Sequence, residues 1–202
     1  MSGILDIVMS NIAHYKKHIM YRLSLYYKLL NHNIDPEETP WWHEITDGII
    51  LGAVPLKNYH HDKILAEDEN VGHIISVVQD FEITTDTFLS EPVRPCDWQE
   101  RGVQQVILDT ADFNAVSLHN IRHGVAILEE KVDESKSSGK KIYLHCKAGH
   151  SRSNTIMICY LIKTRNMTIC EAFNFVKSIR PTVGLNDDQY NAVLDYYIDE
   201  DK

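Results

Sequence analysis

Cys146 ends an apolar run, Arg152 follows after five intervening residues, and Ser153 comes next, all inside the stretch YLHCKAGHSRSNT from Tyr143 to Thr155. A cysteine so placed is a buried hydrophobe, half of a disulfide, a metal ligand or a nucleophile. The four cysteines (Cys96, Cys146, Cys159, Cys170) are scattered, without the close pairs of a disulfide scaffold or a zinc site. Eleven histidines form no His-Glu-x-x-His pattern, and His14 and His18, four apart, have no visible third ligand. No metal and no cofactor is expected, and a reducing compartment is the default.

The remaining choice is between hydrophobe and nucleophile. A loop that leaves a strand and enters a helix, with Gly149 allowing a tight turn, points backbone N–H groups inward. The start of the helix adds its positive end, and together they form an anion nest along Lys147, Ala148, Gly149, His150 and Ser151. Arg152 adds a fork that matches two phosphate oxygens. The field that attracts phosphate also favours thiolate over thiol at Cys146, and a thiolate attacks phosphorus. Ser153 is placed to donate to the sulfur when it leaves, and His145 to fix the loop from behind. A plain buried cysteine needs none of these neighbours.

Attack by sulfur expels an alkoxide or phenoxide, which needs a proton. A carboxylic acid must therefore stand over the loop, and the same group can later activate water. The stretch ILDTADFNA offers Asp109 and Asp112. Aspartate in loops also serves as a turn or helix-cap residue.

The elements that must position these groups alternate. GIILGAV (48–54) reads as a strand, LKNYHHDKILAEDEN (56–70) as a helix and HIISVV (73–78) as a β-branched strand. Residues 79–102 read as irregular. VQQVIL (103–108) is a strand, Ser117 caps a helix to about residue 136, and Gly139 ends it. KIYLH (141–145) is a strand, 153–165 a helix, and Thr168–Glu171 a capping box opening a helix to about 179. A last helix runs over 187–197. The expected fold is α/β, a largely parallel central sheet flanked by helices, with ligands beyond the carboxyl ends of the strands.

Residues 4–30 carry Leu5, Val8, Ile12, Tyr15, Ile19, Leu23, Tyr26 and Leu30 at helical spacing, the stripe of an amphipathic N-terminal helix. Lys16, Lys17, Arg22 and Lys28 stand there against Asp6 alone, and they break any apolar span. The helix can pack on the domain, lie on a membrane surface, or act as a targeting segment. The polar stretch NHNIDPEETP is a linker, which divides the chain into 1–35 and a catalytic domain at 36–202. The whole chain of 202 residues carries a net charge of −9, and with no basic run a nucleic-acid partner is excluded.

HCKAGHSRS matches the His-Cys-x5-Arg-Ser loop of the dual-specificity branch of cysteine phosphatases, and IILGAVP and VGHIISVV also resemble that branch. WWHEITDGIILGAVP, HCKAGHSRS, CYLI and the Gln189 of NDDQY most resemble the protein-tyrosine-phosphatase-like mitochondrial phosphatases. Members of that family act on phosphatidylglycerophosphate, and related ones on phosphoinositides. The resemblance implies that Asp112, rather than Asp109, is the acid. It sets QDFE, with Asp80 and Glu82, where the family has an acidic Glu-Glu-Tyr-Glu loop; Phe81 replaces the tyrosine. It gives Gln189 a role in orienting water. His150 stands where the family has arginine. Lys147, beside the nucleophile, suits a highly anionic substrate.

The expectation is a metal-independent phosphatase that hydrolyses phosphomonoesters through a phosphocysteine intermediate, with a phospholipid headgroup as the favoured substrate and phosphotyrosine or phosphothreonine proteins as the alternative. A binding module that has lost catalysis is the rival, set against the presence of Cys146, Arg152 and an acid together; a membrane adaptor built on the N-terminal helix is another. A monomer, with peripheral membrane contact through 4–30, is expected. The resemblance implies mitochondria; a cytosolic membrane surface, including that of a host cell reached by a bacterial effector, fits the helix equally.

Overall fold

A computed structural model describes residues 2–46 and 48–200, with side chains in the first helix described for Met9 and from Tyr15 onward. His14 and the stripe residues Leu5, Val8 and Ile12 lie outside those described side chains. The chain forms two compact units, 1–40 and 41–202.

The first unit is helix α1 (Ser2–Ile34) and the turn that follows. The helix extends past the apolar stripe because the chain folds back on it: Lys28 Nζ donates to the carbonyls of Thr39 and Pro40, and His32 Nδ1 to that of Thr39 at 2.9 Å. Tyr15, Ile19, Leu23, Tyr27, Leu30 and Ile34 are exposed along one face. Among the described residues no helix is long and apolar enough to cross a membrane.

The second unit is a five-stranded sheet, β1 (Trp42–Thr46), β2 (Ile49–Gly52), β3 (Val71–Ser76), β4 (Gln104–Ile107) and β5 (Lys141–His145), in the order β1-β2-β5-β3-β4. Strands β2, β5, β3 and β4 run parallel, and β1 pairs antiparallel at the edge. The strand β1 escapes a periodicity reading because it is short, polar at His43 and Glu44, and irregular in register. Parallel strands covered on both faces read as continuous apolar runs, and β2 and β5 are almost wholly buried.

On one face Ile50, Ile74 and Tyr143 meet Leu65, Val93, Trp98 and Val103. The segment expected as one helix over 56–70 is instead a 3-10 turn (Lys57–Tyr59), a short α2 (His61–Lys63) and a π turn (Ile64–Asp68). Tertiary hydrogen bonds override its helical pattern. Lys57 N donates to Glu91 O at 2.7 Å and Leu56 N to His61 Nδ1 at 3.2 Å, and His60 between the short helices has a φ of 57°. The stretch 79–102, expected as irregular, holds α3 (Asp80–Thr84) and α4 (Pro95–Glu100). Glu82 accepts from Gln79 N, and Asp97 from Arg94 N, so each short helix is capped by its own third residue.

On the other face lie α5 (Leu118–Ser138), α6 (Arg152–Arg165), α7 (Ile169–Ile179) and α8 (Asp187–Glu200). Ser117 caps α5, Gly139 ends it at a φ of 70°, and the Thr168/Glu171 box opens α7, as the sequence indicated. Every residue from Arg152 to Ile162 is buried, because α6 packs against α5, α7, α8 and β5 at once. All four parallel strands end at one edge, and the loops carrying Cys146, Glu82 and Asp112 meet there.

At Gly124 an added Cβ would lie 2.8 Å from Ile156 Cδ1 and 3.0 Å from Leu108 Cδ1. Gly124→Val is expected to destabilise the fold by about 1–3 kcal/mol through overpacking between α5 and α6, read as a lower urea midpoint. An unchanged midpoint would mean that α5 shifts freely away from α6.

Candidate active site

The carbonyls of the loop after β5 are taken up from outside it. Cys146 O accepts from His145 Nδ1 at 3.0 Å, Lys147 O from Val54 N at 3.0 Å, and Ala148 O from Arg180 Nη2 at 3.4 Å. Gly149 O accepts from Arg180 Nε and Asn154 Nδ2, and His150 O from Gly184 N. In a trans peptide the N–H points opposite to the C=O. Carbonyls held outward therefore turn the amides of residues 147–151 toward the loop interior. Gly149 has a φ of 68°, and a Cβ there would sit 2.5 Å from Gly52 O. Only glycine fits.

Arg180, at the end of α7, is fully buried and also donates to His43 Nδ1 at 3.0 Å. Nothing around it in sequence marks it; an arginine ending a helix usually faces water. Its part in shaping the loop is visible only in three dimensions.

His145 is buried between its neighbours. Its Nδ1–H serves Cys146 O, so Nε2 accepts from Ser76 Oγ at 2.7 Å, and Ser76 Oγ in turn accepts from Gln105 Nε2. Burial pushes the imidazole down to about 4, so it is neutral and serves as a fixed strut.

Ser153 Oγ donates to Cys146 Sγ at 3.4 Å. Burial pushes the Cys146 thiol up, but the charge of Arg152 and hydrogen bonds from Ser153 outweigh it and hold the thiol below its ordinary value. Cys159 is equally buried on α6 without such neighbours, and burial drives its thiol far up.

Arg152 is gripped by a carboxylate. Its Nη1 donates to Glu82 Oε2 at 2.7 Å and Thr110 O at 2.8 Å, and its Nη2 to Glu82 Oε1 at 3.2 Å. Glu82 is itself fully buried. The bidentate pair fixes the guanidinium plane at the loop. Nη2 also lies 3.0 Å from Asp112 Oδ1. Lys147 is buried and pairs with Asp112, its ammonium 5.0 Å from the Phe113 ring centre. Asp109 and Asp80 are exposed, and the Asp109 carbonyl accepts from Asn120 Nδ2. The structure thus brings together Cys146, Arg152, Ser153, His145, Lys147, Glu82 and Asp112. Gln189 is buried nearby and bonded to Ser151 Oγ and Asn114 O. Among the described residues no cluster of His, Cys, Asp and Glu could hold a metal.

A low-pKa thiol beneath converging amides, with a fixed guanidinium and a carboxylate beside it, is the chemistry of a cysteine-dependent phosphatase. A family model described as the dual specificity phosphatase catalytic domain matches residues 57–199, and the chain belongs to that family. It is 32% identical over 163 residues to the phosphatidylglycerophosphatase and protein-tyrosine phosphatase 1 of Mus musculus, covering 80% of this chain and 79% of that one. To the phosphatidylglycerophosphate phosphatase PTPMT1 of Arabidopsis thaliana it is 32% identical over 175 residues, covering 86% of this chain and 47% of the longer relative. The structure of PTPMT1 in complex with PI(5)P is similar over 79% of this chain and 96% of that one, with a TM-score of 0.66 at 30% identity.

Alkylation of Cys146 by iodoacetamide is expected to stay fast at a pH below the ordinary thiol range of about 8.5. In Arg152→Met the attraction is gone and burial remains, so the midpoint of the pH–rate curve should move upward. A wild-type midpoint at or above the ordinary value would remove the thiolate.

Proposed function

We propose that this phosphatase hydrolyses phosphomonoesters through a phosphocysteine intermediate and that its substrate is a phospholipid headgroup. The observation that carries the mechanism is the Cys146 thiol, held low beneath the loop amides, with Arg152 and Asp112 beside it. Cys146 Sγ attacks phosphorus as the ester P–O bond breaks, and Asp112 in its acid form protonates the departing oxygen. The loop amides and Arg152 hold the three equatorial oxygens, where charge gathers. Asp112, now a carboxylate, takes a proton from water as that water attacks the phosphocysteine. The S–P bond breaks, phosphate leaves, and the Ser153 hydroxyl stabilises the returning thiolate. Glu82 and His145 hold Arg152 and the loop in place. A reducing compartment keeps Cys146 a thiol.

The lipid reading is supported by the relatives named for phosphatidylglycerophosphate and by the neighbour bound to PI(5)P. Lys147 adds a cation beside the phosphate site. The name of the Mus musculus relative also includes protein-tyrosine phosphatase, so phosphoproteins are the second reading. The measurement is phosphate release from phosphatidylglycerophosphate and phosphoinositides in vesicles and from phosphotyrosine and phosphothreonine peptides, with Cys146→Ser as the blank. The lipids are expected to turn over at least about tenfold faster, a preference of only about 1.4 kcal/mol. Faster turnover of the peptides would sink the lipid substrate, and turnover by Cys146→Ser would sink the mechanism.

We propose further that α1 rests on an anionic membrane. Its exposed apolar face carries Ile19, Leu23, Tyr27, Leu30 and Ile34, with Lys16, Lys17 and Arg22 exposed around it. Such a helix lies in the interface, with basic side chains reaching phosphates. Tethering raises the local concentration of a lipid substrate. The full chain is expected to sediment with phosphatidylglycerol vesicles, weakly with phosphatidylcholine, and less in high salt. Equal binding to both, or binding that survives Lys16, Lys17 and Arg22→Glu, would refute it.

A further inference from the structure

The two residues after Asp112 are held from outside their own loop. Asn186 Nδ2 donates to Phe113 O at 2.9 Å, and Gln189 Nε2 donates to Asn114 O at 3.2 Å. The same Gln189 amide lies 3.3 Å from Ser151 Oγ in the phosphate loop. Both side chains are fixed in turn by the start of α8. Asn186 Oδ1 accepts from Gln189 N at 2.9 Å, and Gln189 Oε1 accepts from Asn186 N at 3.0 Å. This reciprocal cap uses the two amide oxygens. It leaves each NH2 group aimed at the loop that carries Asp112.

Phe113 shows what these bonds hold. Its φ is 63°, a left-handed conformation that a bulky residue adopts only when its surroundings impose it. The residue is 58% exposed, so burial contributes little. The turn bond from Asn114 N to Ala111 O at 3.3 Å and the Lys147 ammonium over the ring hold it from within the site, and the hydrogen bonds from Asn186 and Gln189 to its carbonyl and to the next one add the hold from α8.

We propose that Asn186 and Gln189 form a clamp that holds the Asp112 loop closed against the phosphate loop. They are positioning residues, acting on Asp112 through the backbone of Phe113 and Asn114. This deepens the mechanism above and rests on Asp112 being the proton donor. It also gives Gln189 a structural task in place of the water-orienting one that the family resemblance implied, because its amide groups are engaged by Asn186, Asn114 and Ser151.

A proton donor matters most when the leaving group is poor. The test compares kcat on an alkyl phosphate with kcat on an electron-poor aryl phosphate. Asn186→Asp and Gln189→Glu keep the capping oxygens and lose the NH2 donors. Asn186→Ser keeps a capping oxygen and adds no charge. Each is expected to lower alkyl phosphate turnover about tenfold, part of the 10²–10⁴ that general acid catalysis supplies, while aryl phosphate turnover changes much less. In an Asp112→Ala background the same changes should cost nothing more on the alkyl phosphate. Equal losses on both substrates would mark a merely structural role and overturn the clamp, as would unchanged alkyl turnover or a loss confined to the charged variants. If Asp112→Ala itself fails to discriminate between the substrates, the acid assignment falls and the clamp with it. If Asp112→Ala discriminates and the clamp variants do not, the clamp alone falls.

Discussion

The carbonyls of Cys146 through His150 all accept hydrogen bonds from groups outside their own loop, and this decides which way the intervening amides face. An amide that points at a dianion cannot be held by the dianion before it arrives; it must be held from behind. Three of the donors come from distant parts of the chain, Val54 after β2, Arg180 at the end of α7 and Gly184 beyond it, while His145, the last residue of β5, holds the carbonyl next to it. The sheet and the helices behind it can be understood as the frame that delivers these donors. Preorganisation of this kind lets the loop meet developing charge without reorganising.

The same frame separates two buried thiols. Burial alone raises a thiol pKa, and at Cys159 nothing opposes it. At Cys146 a buried guanidinium and a serine hydroxyl reverse the outcome. The guanidinium is itself costly to bury, and Glu82 repays that cost with a bidentate contact. Cys146 is thus the end of a chain of charges, Glu82 to Arg152 to Cys146, each of which stabilises the next.

The loop itself was legible from residue types alone, because Cys146, Gly149, Arg152 and Ser153 lie within eight positions and local chemistry fixes their relation. Elements with clear period and caps, such as α5 behind Ser117 and α7 behind Thr168, were legible for the same reason. The stretch 56–70 was not: its helical pattern is real, but hydrogen bonds from Lys57 to Glu91 and from Leu56 to His61 break it. Arg180 and Asn186 carried no signal, since their partners are 31 and 73 positions away. Glu82 was visible only as one acid among several in QDFE; the fold turns it inward and leaves Asp80 outside.

Helix α6 begins with Arg152, beside the cysteine loop, and continues without a break into a fully buried run to Ile162. The first turn of a helix ordinarily frays, and frayed ends are where proteins sample local openings cheaply. Here that turn is packed on every side, so it has no cheap opening to sample. Active-site geometry and global stability are therefore one cooperative unit. As the protein is warmed, Arg152 should stay in register until the whole domain gives way.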